Sequence, residues 1–482
     1  MRELVWIMSC RAIRVHAVGV AAAAIALMWS PVFSADWHVR PVSDCAVAGD
    51  GSSPNCATSS GAAGSFSGFA GVTWSSIQPG DTLYIIGTHV ATGLVIQASG
   101  AATATATAPI TVRGDLSGFA PGVIDGNGVA SFCVYDNDGS HDISIVRVSI
   151  RGCTSRGLYF RNGLAAVNRS GLQLRDVHVA DIAGSSTSSP NCVWAYGEGV
   201  TIRNSRIENC ADDGIWIVGA NATIENNWIE RVGTGAGAAG DCIQLSGDAS
   251  NFSITGNYCN HLAADEKQCF IAYDSASTAA VGRITDNICV LPRPNGSRTK
   301  GIFNGYDAVL IARNFVTGGE SGIWNIGDAQ IVANIVTGFS GVGIYVGGGS
   351  HNVALNNTVV GGYRTGKCLL SDSFSSFINN VLTRCERAAA AYTGQYNGAN
   401  QWIANVSWDN TFNTGEFSVP DNNPVDQLTF ADPGFSGNAL YDPLAWRSSI
   451  STPAYDVSSY GPAALLNFAK ELRAFGAQWG AF

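Results

Sequence analysis

The chain has 482 residues, 27 Lys and Arg against 37 Asp and Glu, a formal net charge of −10, and only 13% charged residues. It contains no basic run, which excludes binding to a nucleic-acid backbone. Its 57 glycines, with many Ser, Thr and Asn between short apolar runs, fit an exported β protein with many tight turns.

Residues 1–35 read as a signal peptide. Arg2, Arg11 and Arg14 supply positive charge, and Val15 to Trp29 is an apolar run shorter than a membrane span. Val32-Phe33-Ser34-Ala35 offers small residues for cleavage. The mature chain is therefore expected to be secreted or periplasmic and to hold no membrane segment. Residues 36–80 are irregular and rich in Gly, Ser and Ala, as a cap over a first coil would be. Pro79 to Ile86 reads as a turn and a strand, and Pro109–Arg113, Val123–Gly126, Ile143–Ile150 and Gly171–Val179 continue the strands. The Ala/Thr tract at Ala101–Ala108 reads as a loop.

From Val200 to Asn405 one phrase returns, T-I-x-x-N-x-I. It stands at Thr223–Ile229, Ser253–Cys259 and Arg283–Cys289, and its asparagine column runs through Asn227, Asn257, Asn287, Asn314, Asn334, Asn357, Asn380 and Asn405, with Ser205 in the same place one turn earlier. A second phrase, G-I-x-I, lies between: Gly214–Ile217, Cys242–Leu245, Gly301–Asn304, Gly322–Asn325 and Gly343–Val346. The pattern predicts two short strands per period of 20 to 30 residues, each with inward Ile or Val. One such unit cannot bury its apolar face alone, but stacked units share a continuous core. The asparagines then lie above one another, where their amides can satisfy buried backbone groups.

These phrases resemble the right-handed parallel β-helix superfamily of pectate lyases and polygalacturonases. The resemblance implies an all-β solenoid over 81–410, of about ten coils by column counting. Residues 411–482 would form a loop-rich extension with a short amphipathic helix at Pro462–Phe475, its apolar face made by Leu465, Leu466, Phe468 and Leu472. A monomer acting on a polysaccharide is the expected state.

Twelve of the 13 cysteines lie beyond the leader, an even number that suits disulfides in an exported protein. Cys45 with Cys56 is a local pair. Cys242 and Cys269 share one strand column in adjacent coils, as do Cys259 and Cys289, so the expected bonds are Cys242–Cys269 and Cys259–Cys289.

Chemistry is expected where coils lengthen. The asparagine spacing is 30, 30 and 27 residues from Asn227 to Asn314, then 20 and 23. The extra residues enter at Val232–Gly240, His261–Gln268 and Leu291–Thr299, and loops of this kind wall a groove on the adjacent sheet. Asp212 and Asp213 open one strand and Asp241 the next. Asp265, Glu266 and Lys267 lead into the third, and Arg298 and Lys300 into the fourth. The carboxylates have three readings: ligands for Ca²⁺, an acid and base for glycoside hydrolysis, or turn caps. The outward aromatics of G-I-x-I are Tyr159, Trp216, Phe303, Trp324 and Tyr345, which either stack on sugar rings or form a second small core under the loops.

Asp212-Asp213-Gly214 before a strand looks like the calcium pectate lyases, in which paired aspartates precede a lysine one coil later; here that position is Gln244. This resemblance implies β-elimination on a uronate polymer, with Ca²⁺ on Asp212, Asp213 and Asp241 and a lysine base, Lys267 or Lys300. Asp213-Gly214 and Asp241-Cys242 also look like the Asp-Asp-Cys of polygalacturonases, but no Gly-His-Gly follows. Gln244, Arg298, Trp216, Phe303 and Trp324 would hold substrate. A glycan-binding adhesin is the third class, and it would need no charge cluster.

Overall fold

In a computed structural model the described residues are 34–414 and Leu428–Thr429. Within that span, 103–106, 137–138, 162–169, 185–189, 236–239, 262–267, 275–280, 293–297, 350, 362–365, 373–374, 392–399, 404 and 409 lie outside the description. Residues 1–33 of the leader and Pro462–Phe475 therefore lie outside the described residues, as do Asp265, Glu266 and Lys267.

Among the described residues, three parallel sheets of 15, 14 and 13 strands form the coil. We call them first, second and third in the order in which a coil visits them. In one coil Thr223–Glu225 lies in the first sheet, Trp228–Val232 in the second and Ile243–Ser246 in the third. Each coil thus holds three strands, where the sequence pattern predicts two. The reason is local. T-I-x-x-N-x-I contains two strands joined by a two-residue bend, and the residue before Ser205 and before each asparagine from Asn227 to Asn380 is left-handed: Asn204, Asn226, Gly256, Asp286, Arg313, Ala333, Asn356 and Asn379 all have φ between 51° and 71°. A strand cannot continue through that conformation.

The asparagine that follows holds the bend. Asn287 Oδ1 accepts the backbone N–H of Asn257 at 2.8 Å, and its Nδ2 donates to Ile254 O at 2.9 Å and to Asn314 Oδ1 at 3.0 Å. The same bonds repeat from Asn227 to Asn405. Ser205 begins the ladder, its N–H donating to Asn227 Oδ1. All eight asparagines are fully buried. The sheets hold more strands than the asparagine column suggests, because the coils before Ser205 carry other residues at this corner.

The cap contributes Asp36–Arg40, which pairs in parallel with Thr82–Ile85 and so enters the first sheet. Ala101–Ala102 and Thr107–Ala108 form a small antiparallel pair rather than a plain loop. One continuous apolar core fills the coil, from Val39 to Ala389. Among the described residues no helix is long and apolar enough to cross a membrane.

The cysteines correct the expected pairing. The bonds are Cys242–Cys259 and Cys269–Cys289, with Cα separations of 6.1 and 5.9 Å. Cys259 and Cys289 are register neighbours in the second sheet, but side chains of neighbouring parallel strands point the same way, side by side. Inward side chains of the third and second sheets instead converge across the narrow corner, which suits disulfide geometry. Cys133–Cys153, Cys192–Cys210 and Cys368–Cys385 follow the same rule, each closing a ring of about one coil. Cys45–Cys56 is the expected local bond.

Candidate functional site

The outer face of the third sheet carries two columns of side chains. One begins the strands: Arg156, Asn191, Asp213, Asp241, Gln268, Lys300, Ser321. The other lies three residues further on and reads Tyr159, Trp194, Trp216, Gln244, Ile271, Phe303, Trp324, Tyr345.

Asp213 and Asp241 belong to a ladder of their own. Asp213 Oδ1 accepts the N–H of Asp241 at 2.7 Å and its Oδ2 accepts Asn191 Nδ2 at 3.1 Å. Asp241 Oδ1 accepts the N–H of Gln268 at 2.8 Å. Both residues are 4% exposed. Each carboxylate therefore ties its coil to the next, as the asparagines do at the other corner. Asp212 is half-buried beside them, and its carbonyl accepts the Gly233 N–H.

Both oxygens of Asp213 and Oδ1 of Asp241 accept N–H donors, so the coil-to-coil ladder holds these carboxylates in place whether or not a Ca²⁺, which takes six to eight oxygens, also meets them. Cys242, Cys259 and His261 approach one another, but the two sulfurs share a disulfide and offer no thiolate.

The aromatics form two ladders rather than a continuous line. Phe132, Tyr159, Trp194 and Trp216 follow one another, with centroid distances of 5.3, 5.3 and 4.7 Å, and the last pair lies parallel within 3°. The Arg156 guanidinium sits 3.9 Å over the Trp194 ring and 4.5 Å over Tyr159. The second ladder is Trp324 on Tyr345 at 4.0 Å, with the Tyr345 hydroxyl donating to Asp372. Ring faces within a ladder are engaged by neighbouring rings, the packing expected of a small outer core.

Between Trp216 and Trp324 the ladder is interrupted, and the floor is Gln244, Ile271 and Phe303. Four strand steps make this window about 19 Å long. The three floor residues lie on Ile243–Ser246, Gln268–Ala272 and Lys300–Asn304, the strands that follow the three lengthened connections. Lys300 stands at its edge, its Nζ 5.3 Å from the Phe303 centroid and 5.6 Å from that of Trp324. Arg298 is exposed two residues before it. Tyr273 tilts against Phe303 at 5.2 Å, and Trp216 Nε1 donates to Ser246 Oγ at 2.8 Å.

The structure thus brings Lys300, Phe303, Trp324, Gln244 and Trp216 to one window with Arg298 at its edge, and places Asp213 and Asp241 beneath it as backbone caps. Sequence reasoning missed Arg156, Asn191 and Trp194. The signal was present: Asn191-Cys192-Val193-Trp194 repeats the form of Asp241-Cys242-Ile243-Gln244, but with Val in place of Ile.

Residues 123–290 match the family model described as right handed beta helix region. No curated protein sequence matches the chain significantly. Among solved structures, the chain is similar to a mannuronic acid specific polysaccharide family 6 lyase from human gut microbiota, at 12% identity over 83% of this chain and 95% of that one, with a TM-score of 0.50. Weaker likenesses are to pectate lyase Pel9A (16% identity, 77% and 80% coverage, TM-score 0.35) and to the catalytic domain of a GH87 alpha-1,3-glucanase (13%, 73% and 64%, 0.38). With three parallel sheets, an asparagine ladder and this match, the described chain folds as a right-handed parallel β-helix.

Proposed function

We propose that the chain is an exported enzyme that cleaves an acidic, uronate-containing polysaccharide by β-elimination in the window between Trp216 and Trp324. The observation that carries this reading is the division of charge there. The carboxylates that hydrolysis would use, Asp213 and Asp241, are buried and bonded to N–H groups, whereas the cationic Lys300 and Arg298 border the floor. An acid and base for hydrolysis must reach the glycosidic oxygen and a water; both oxygens of Asp213 and Oδ1 of Asp241 accept N–H groups of neighbouring coils instead.

The chemistry follows from that arrangement. Arg298 pairs with the uronate carboxylate and withdraws charge from the adjacent carbon, making its proton more acidic. Lys300, in its neutral form, takes that proton. The electron pair forms the new C=C bond, the C–O bond to the neighbouring sugar breaks, and the leaving oxygen takes up a proton from water. Gln244 on the floor can donate to the same carboxylate. Phe303 and the ladder-end rings offer apolar surface to the C–H faces of the sugars. The mannuronate lyase of similar fold makes polymannuronate the first substrate to try. Lys267, the other sequence candidate for the base, lies outside the described residues.

The test is incubation with polymannuronate, polyguluronate, polygalacturonate and neutral glucans, following both the ultraviolet absorbance of unsaturated uronate and new reducing ends. A parallel rise in both supports elimination. Reducing ends without absorbance would establish hydrolysis instead, and binding without either product would make the chain a glycan-binding solenoid.

A further inference from the structure

The outer face of the second sheet is polar near its start and apolar further on. In register, the outward column passes from His178 and Arg206 through Trp228 and Tyr258 to Ile288, Phe315 and Ile335. These last residues point away from the coil, since the alternating positions Cys289, Val316 and Val336 belong to the main core. Yet Ile288, Phe315 and Ile335 are 6%, 1% and 1% exposed, and Val360 in the neighbouring outward column is fully buried. Outward side chains buried to this degree need a cover. Among the described residues, the apolar side chains packed on them, Trp228, Tyr258 and Val290, all come from the same sheet and cannot provide it.

We infer that this face is the docking site of the chain's own C-terminal segment, residues 430–482. Two observations favour that occupant over a second copy. First, the described chain ends on this sheet: Leu428–Thr429 pairs with Asn405–Val406 as the last strand of the second sheet, so the segment leaves from the end of the apolar stripe. Second, the lengths agree. From Ile288 to Val381 the stripe covers four strand steps, about 19 Å. Residues 462–475, read as a helix, extend about 21 Å. Leu465, Phe468, Leu472 and Phe475 recur at intervals of three and four residues, one apolar face. An open stripe of this kind would invite association between molecules, and a docked helix removes it. The inference is independent of what the third sheet binds.

Photo-crosslinking in the full chain tests it. Phe315→p-benzoylphenylalanine places a reactive ketone on the stripe, and peptide mapping identifies its partner. A crosslink to a peptide within 430–482 is expected. A crosslink to any other segment, a crosslinked dimer, or reaction with solvent alone overturns the proposal. The double variant Leu465→Glu, Phe468→Glu gives a second readout. Strand circular dichroism and all six disulfides should persist, while amide protection falls along Phe315–Thr317 and Ile335–Thr337 and a hydrophobic dye gains fluorescence. Unchanged protection and dye binding would count equally against docking.

Discussion

Replacing Asn287 by Ala removes one rung from the middle of the ladder. The side chain is fully buried and makes four hydrogen bonds: it accepts from the N–H and Nδ2 of Asn257, and it donates to Ile254 O and Asn314 Oδ1. At about 1 kcal/mol for each bond, with the Asn257 N–H left unpaired in the interior, the loss comes to about 4 kcal/mol. That is large for a single substitution. The bend itself also suffers, because the left-handed Asp286 (φ 59°) is held by the bonds that follow it. The assay is urea denaturation with disulfides intact, comparing midpoints and slopes. Gln330→Ala, at an exposed position of the first sheet, is the control and should shift stability by less than about 0.5 kcal/mol. If Asn287→Ala also stays within about 1 kcal/mol of the parent, the ladder does not hold the corner and this reasoning fails.

Lys300→Ala should lower turnover on the polyuronate substrate by about 10²–10⁴-fold with the denaturation midpoint unchanged; full activity would remove Lys300 from the mechanism and direct attention to Lys267. Activity and thermal midpoint should both survive EDTA, because N–H donors on Asp213 Oδ1 and Oδ2 and on Asp241 Oδ1 already hold these carboxylates in place, and a fall in either would place a cation at the site. Replacing both Cys269 and Cys289 by Ala should cost about 3 kcal/mol, the loop-closure value for a ring of this size, read by the same urea titration. His89 is buried against Phe69 at 4.0 Å, and burial lowers its pKa to about 4. Below its ordinary value of 6.5 the unfolded chain binds the proton that the folded chain refuses, so stability falls as the pH drops from 6.5 towards about 4. His89→Leu should flatten that slope, and an unchanged pH profile would contradict it.

The sequence alone was enough for the solenoid and for the line of asparagines, because both are periodic. A residue that recurs once per coil must stack if the coils stack. The lengthened connections were legible for the same reason, as departures from a period. Other features depend on how sheets meet, and a linear pattern does not carry that. Cys242, Cys259, Cys269 and Cys289 were recognisable as disulfide cysteines, but their partners follow from which inward side chains converge at a corner. Asp213 and Asp241 stood out as charges opening strands, yet their burial and their bonds to the next coil's N–H groups arise only from stacking. The aromatic column was visible in part, and only packing along the axis decides that Trp194 engages Trp216 while Gln244 and Ile271 interrupt the ladder. The window beside Lys300 is therefore a tertiary feature: it exists where successive coils place unlike side chains in a column that elsewhere is aromatic.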